Sequence, residues 1–238
     1  MFKCSGLRFG ALDHRTVHLC IDMQNLFAED TPWNTPWMKR VLPIIERLAE
    51  RHPERTVFTR FIPARHPDEL PGAWRRYYRK WAELTLERIE PRLIELVPSL
   101  ARLAPPAAVI DKRVYSPFAE RALHGLLRQR RIESLVISGA ETDVCVLAAV
   151  LDAVDQGYRV VLVTDALCSA SDETHDALLT LYQRRFSEQI ETADRGNPRR
   201  LAIAHQRCIA RPPASRSARF PRTARVDTRP VYPGGHHA

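Results

Sequence analysis

The 238-residue chain is short of several things, and each shortage narrows what it can be. Its five cysteines, at 4, 20, 145, 168 and 208, make an odd count with no C-x-x-C pair and no Cys/His cluster. That argues against a disulfide scaffold and against structural zinc, and it fits free thiols in a reducing cytoplasm. Only nine glycines occur, and none forms a phosphate-cradling loop. No internal repeat is visible. No apolar run approaches the length of a membrane span, and the N-terminus lacks the apolar core of a signal peptide, so no membrane partner is expected.

Basic charge is missing from most of the chain as well, despite a net charge of +8. From Arg195 to Ala238 there are ten arginines, no lysine and one acid, Asp227, whereas the preceding residues hold 26 basic and 27 acidic side chains. The excess therefore belongs to an Arg/Pro/Ala/Ser-rich segment, 195–238, and the part at 1–194 is close to neutral. Such a segment cannot bury enough apolar surface to offset its ordering entropy, which predicts a disordered tail beside one domain. Its arginines could contact phosphates. However, it has no RGG repeats and only Phe220 and Tyr232 for stacking, so nucleic acid is not the expected partner. Its composition also resembles an out-of-frame reading of GC-rich DNA.

What is present is an alternation of short apolar runs with longer helical patterns. Strands are predicted at 16–22, 56–62, 107–111, 134–138 and 159–164. Helices are predicted at 36–51, 74–89, 117–129, 143–156 and 172–186. This succession implies an α/β fold: a three-layer α/β/α arrangement on a largely parallel, open, Rossmann-like sheet. In such sheets ligands sit outside the carboxyl ends of the strands.

Three of those ends carry reactive side chains. The run T-V-H-L-C-I-D ends in Asp22, A-A-V-I-D-K ends in Lys112, and V-I-S-G-A-E-T-D-V-C leads into Cys145. A thiol in the first turn of a helix meets unpaired N–H groups and the positive end of the helix dipole, which favour the thiolate. A carboxylate beside it can accept the thiol proton, and an ammonium can stabilise both anions. Phe27, Tyr115 and Phe118 follow these strand ends and are candidate pocket walls. Arg60, after the second strand, is a candidate receptor for a substrate carboxylate. Trp74, Tyr77, Tyr78 and Trp81 make one aromatic stripe at helical spacing, which suits core, a subunit interface or a lid. His175 reads as a structural hydrogen-bonding residue, Asp165 as a turn residue after its strand, and Cys20 as an inert core thiol. Cys168 stands near a strand end, without a predicted disulfide.

From Thr16 to Thr192 the chain resembles the isochorismatase-like cysteine hydrolases, a family that includes nicotinamidases and N-carbamoylsarcosine amidase. The carriers are I-D-M-Q-N-L-F, D-K-R-V-Y-S-P-F, S-G-A-E-T-D-V-C-V and T-D-A-L-C-S-A-S-D-E-T-H-D. The resemblance implies Asp22, Lys112 and Cys145 as catalytic residues and an oxyanion hole made by the backbone N–H groups of Glu141 and Cys145. It further implies a cis peptide between Ala140 and Glu141, and a homo-oligomer acting on a small-molecule substrate. It departs from the nicotinamidase pattern where metal ligands are expected: Thr59 and Phe61 stand there, leaving His66 nearby, so no metal and no other cofactor are expected. The reaction implied is metal-independent cleavage of a C–N bond in a small amide, ureido or imide compound through a Cys145 thioester. The alternative is ether or ester hydrolysis of the isochorismatase type, which does not need the thiol.

Overall fold

The computed structural model describes residues 7–193. The segment 195–238 and the disorder expected of it lie outside the described residues. Six strands form the sheet: β1 (Thr16–Ile21), β2 (Thr56–Phe61), β3 (Ala108–Lys112), β4 (Ser134–Ala140), β5 (Arg159–Cys168) and β6 (Ile190–Ala193). The helices are α1 (Asn25–Ala28), α2 (Met38–Arg51), α3 (Gly72–Lys80), α4 (Pro98–Ala101), α5 (Arg121–Gln129), α6 (Cys145–Asp155) and α7 (Asp172–Arg185). All neighbouring strands pair parallel, in the order β3-β2-β1-β4-β5-β6. Among the described residues no helix is long and apolar enough to cross a membrane.

Alternation along the strands builds the three layers. Val17, Leu19 and Ile21 of β1 join Leu135 and Ile137 of β4 and Val160 and Leu162 of β5 in one core, packed against α5, α6 and Tyr182 of α7. Cys20, Phe58, Val136, Val161 and Val163 point the other way, into a second core closed by α2 and Tyr78 of α3. Because both faces are covered, the central strands are largely apolar, with Thr16, His18, Ser134 and Ser138 the polar residues of β1 and β4. Each fully buried aliphatic side chain contributes about 1.5–3 kcal/mol relative to exposure. Met38, Val41, Ile45 and Ala49 give α2 a single buried stripe. Helix α7 starts on Ser171, whose hydroxyl accepts the Thr174 N–H at 3.3 Å, and carries Asp172 and Glu173 in its first turn and Arg184 and Arg185 in its last. That polarity suits the helix dipole. Gly157, at φ +82°, ends α6 with the left-handed residue such a stop needs.

Boundaries moved where tertiary contacts outweigh periodicity. The helix predicted over 74–89 stops at Lys80, because Trp81 turns inward onto Trp33 and a short 3-10 turn buries Leu84. Strand β5 runs on to Cys168: its pairing with β4 jumps from Ile137↔Leu162 to Gly139↔Leu167 across a bulge. Asp165 therefore lies inside a strand rather than in the turn predicted for it.

Candidate active site

The strand order reverses between β1 and β4, so a crevice opens at their carboxyl ends. Asp22 follows β1 at φ +47°, a left-handed conformation that Asp tolerates better than most residues. Two residues on, the buried Gln24 ties this turn to its neighbours. Its Nε2 donates to the carbonyls of Phe61 (3.0 Å) and Ile94 (2.8 Å), and its Oε1 accepts the Phe61 N–H at 2.7 Å. On the β4 side, Gly139 sits at φ +114°, and a Cβ there would lie 2.1 Å from the Ile21 carbonyl oxygen. Only glycine lets β4 run beside the end of β1 at that point.

The Ala140–Glu141 peptide is cis. Beyond it the chain is held by Thr142, whose N–H and hydroxyl both donate to the Cys168 carbonyl, at 2.9 and 3.1 Å. The Thr142 hydroxyl also lies 2.8 Å from His175 Nδ1, so His175 serves as a buried hydrogen-bonding partner of this turn. The N–H groups of Val144 and Val146 both donate to the Glu141 carbonyl. Cys145 then opens α6, two residues later than the sequence pattern predicts.

These elements bring Asp22, Lys112 and Cys145 into contact. Lys112 reaches from the end of β3 with no exposed surface; its Nζ stands 2.7 Å from Asp22 Oδ2 and donates to Cys145 Sγ at 3.3 Å and to the Val114 carbonyl at 3.2 Å. The same ammonium lies 4.9 Å from the centre of the Phe61 ring. Thr59, in β2, fixes the carboxylate from the other side: its hydroxyl donates to Asp22 Oδ1 at 2.6 Å and accepts the Asp22 N–H at 3.1 Å. Oδ1 is thus engaged. Oδ2 faces Lys112 as an ion pair without hydrogen-bond angles, which leaves it a lone pair for a proton.

Burial works against the charge on Lys112, but the neighbouring Asp22 and Cys145 outweigh it, and the ammonium is held above its ordinary pKa. For Cys145 the balance goes the other way. Burial pushes the thiol up, Lys112 pulls it back, and Asp22 adds to the rise. The net direction is upward, against the expectation that a helix start favours the thiolate, because the surroundings are dry. The arrangement can move a proton from sulfur to carboxylate beside a fixed cation.

A small cavity reaches Cys145 between Phe27, Trp33, Phe61, Tyr77, Tyr115 and Glu141. Of the four pocket residues proposed from sequence, Phe27 and Tyr115 line it. Arg60 does not. Its guanidinium is tied to Asp111 at 2.7 and 3.0 Å and to Glu95, outside the cavity. Phe118 does not either. It is buried in the core beside His124 and Tyr158, because a 3-10 turn at Pro117–Ala119 swings it inward. The aromatic stripe divides, with Tyr77 facing the cavity while Tyr78 is fully buried. Sequence reasoning missed Trp33 and Gln24. It met Thr59 only as a failed metal ligand. A Thr one strand over from a strand-end Asp carries no signal until the pairing is known.

Nicotinamidase-type metal binding does not fit these residues. The Thr59 hydroxyl is committed to Asp22, and Phe61 offers only a ring face. His66 lies at the exposed surface, where its Nδ1 accepts the Asp68 N–H.

The model of the isochorismatase domain matches residues 16–194. The chain belongs to the isochorismatase family. It is a hydrolase with the family's α/β fold. An uncharacterized isochorismatase family protein of Bacillus subtilis is 35% identical over 34% of this chain, a stretch spanning 44% of that protein's length. A probable inactive nicotinamidase of Arabidopsis thaliana is 29% identical over 68% of this chain and 85% of its own. Among solved structures, a cysteine hydrolase from Pseudomonas syringae superimposes with a TM-score of 0.65 at 22% identity, covering 80% of this chain and 93% of that one. That likeness concerns the fold of this isochorismatase-family member.

Proposed function

We propose that this hydrolase cleaves the C–N bond of a small amide, ureido or imide compound through a thioester on Cys145. The observation that carries the reading is the buried contact of Lys112 with both Asp22 (2.7 Å) and Cys145 (3.3 Å) at the floor of an aromatic cavity. Two of the similar proteins are named a nicotinamidase, probable and inactive, and a cysteine hydrolase.

In this mechanism Asp22 Oδ2 takes the Cys145 proton as sulfur attacks the substrate carbonyl carbon. The oxyanion that forms accepts hydrogen bonds from the backbone N–H groups of Glu141 and Cys145, and losing one such donor costs about 10²–10³ in rate. Collapse breaks the C–N bond, and the nitrogen leaves with the proton that Asp22 holds. Water then gives a proton to Asp22 and attacks the thioester carbon. The acid departs, and the proton returns to sulfur. Lys112 stays an ammonium throughout, compensating the negative charge that passes between oxygen and sulfur. Burial raises the pKa of the Cys145 thiol, so a base beside it assists the attack.

The test is a panel of amides, ureides and imides with ammonia or amine detection and intact mass spectrometry of the quenched protein. A mass increment of the acyl group on Cys145 is expected with any compound turned over. Turnover retained by Cys145→Ala would overturn the thioester reading and favour hydrolysis without a thiol.

A further inference from the structure

Among the described residues, the cavity above Cys145 is lined by five aromatic side chains, Val144, Cys145 and one acid, Glu141, and by no lysine, arginine or histidine; Lys112 lies beneath it, against Cys145 and Phe61 and paired with Asp22. Trp33 lies at the centre of the rings, with its ring 6.3 Å from Phe27, 5.9 Å from Phe61 and 5.8 Å from Tyr77. Trp74 backs this wall, 5.5 Å from Tyr77 and 4.8 Å from Tyr115. Aromatic faces carry partial negative charge and attract cations, more strongly when the cation is desolvated. Phe61 already shows the effect, since the Lys112 ammonium rests over its ring.

The charges around the cavity do not cancel. Asp22 and Lys112 neutralise each other, and burial opposes a charge on Cys145. Among the described residues no cation pairs with Glu141. Burial, then Asp143 and Asp22, push its carboxyl up to about 7, while a backbone hydrogen bond from Ala170 pulls it back. Arg60, the side chain best suited to receive a carboxylate, is occupied by Asp111 and Glu95 elsewhere. An anionic substrate would meet rings and an acid with nothing to pair with; a cationic one would meet complementary groups on every side.

We propose that the cavity selects amides that carry a positive charge, an alkylated ammonium foremost, with the Glu141 carboxylate and the surrounding ring faces as its receptor. This rests on the amide-hydrolysis reading above and adds the substrate's charge to it. Glu141 then has two separate parts: its backbone N–H at the oxyanion and its carboxylate at the specificity pocket.

The experiment compares two amides of nearly the same shape, (trimethylammonio)acetamide and 3,3-dimethylbutanamide, with the full-length protein at pH 8. The cation is expected to have a kcat/KM at least about tenfold above its neutral isostere. In Glu141→Gln that ratio is expected to fall to a few-fold, the part that the rings and the inductive activation of the carbonyl by the cation supply. The ratio within each protein is the readout, so a general loss of activity in the variant does not disturb it. A neutral amide turned over as well as the cation by the unaltered protein overturns the proposal. If neither amide is cleaved, amide hydrolysis fails for this pair and binding decides the matter. Tetramethylammonium chloride should then slow alkylation of Cys145 by iodoacetamide relative to sodium chloride at equal ionic strength, and should do so less in Glu141→Gln. Equal alkylation rates in the two salts overturn the proposal.

Discussion

Strand β1 and the residue after it bury three titratable side chains, of which His18 near the start and Asp22 at the end make the comparison. His18 has a hydroxyl for company: its Nε2 and Ser138 Oγ are 2.7 Å apart, and burial holds its pKa at about 4. Among the described residues, the small cavity beside it is lined by Thr16, Arg47, Arg51, His52 and Arg55 and by no carboxylate. Asp22 has Lys112 at 2.7 Å and the Thr59 hydroxyl at 2.6 Å. The same strand, in the same dry sheet, thus keeps one group neutral and builds an ion pair with the other. A buried group without a counter-charge gives up its charge, whereas one with a counter-charge can keep it. Chemistry is possible only at the second kind of place.

Breaking the ion pair should give the largest effect. Lys112→Met leaves Asp22 buried without its cation and is expected to cost about 3–5 kcal/mol in urea unfolding, along with the hydrolase activity. Adding Asp22→Asn to that variant should recover much of the stability and none of the activity. A Lys112→Met protein as stable as the parent would show that the pair is not the organising contact at this end of the sheet.

The neutral cluster answers to acid. His18 binds its proton in the unfolded chain near pH 6.5 but in the folded chain only near pH 4, so the unfolded state takes up more protons between those values. Stability therefore falls as pH drops through that window, by about 3 kcal/mol from this group if it acts alone. His18→Gln should flatten that part of the stability curve, measured by urea titrations at half-unit steps from pH 4 to 7. An unchanged slope would mean that other groups control acid unfolding.

The smallest effect should come from Thr59→Val, which keeps the shape and removes the hydroxyl that holds Asp22 Oδ1. A stability loss of about 1–3 kcal/mol is expected from the unpaired buried oxygen. The hydrolase activity should fall as well, since the carboxylate loses the hydroxyl that fixes its orientation. Thr59→Ser should restore it. Loss of stability with an unchanged kcat/KM would make Thr59 a packing residue only.

Much of this was legible beforehand because it rests on local pattern. The alternation of strand and helix, the order of the reactive residues along the chain and the placement of Asp22, Lys112 and the Cys145 turn at strand ends all follow from period and punctuation. Arg60 and Phe118 show where that reasoning stops. Arg60 lies near the end of β2 and Phe118 follows the β3 motif, yet one is captured by Asp111 on the neighbouring strand and the other is turned into the core. Trp33 comes from a loop with no periodicity, so its place among the cavity rings has no local signature.

By itself, then, the sequence determined the layers, the parallel sheet and the family, because these depend on hydrophobic period and on motifs that lie within single segments. The tertiary structure decided that the thiol is buried, that Thr59 holds Asp22, and that one acid stands among five rings over Cys145. Those depend on desolvation and on contacts between segments tens of residues apart. No spacing along the chain encodes how dry a side chain will be, or which charge will lie beside it.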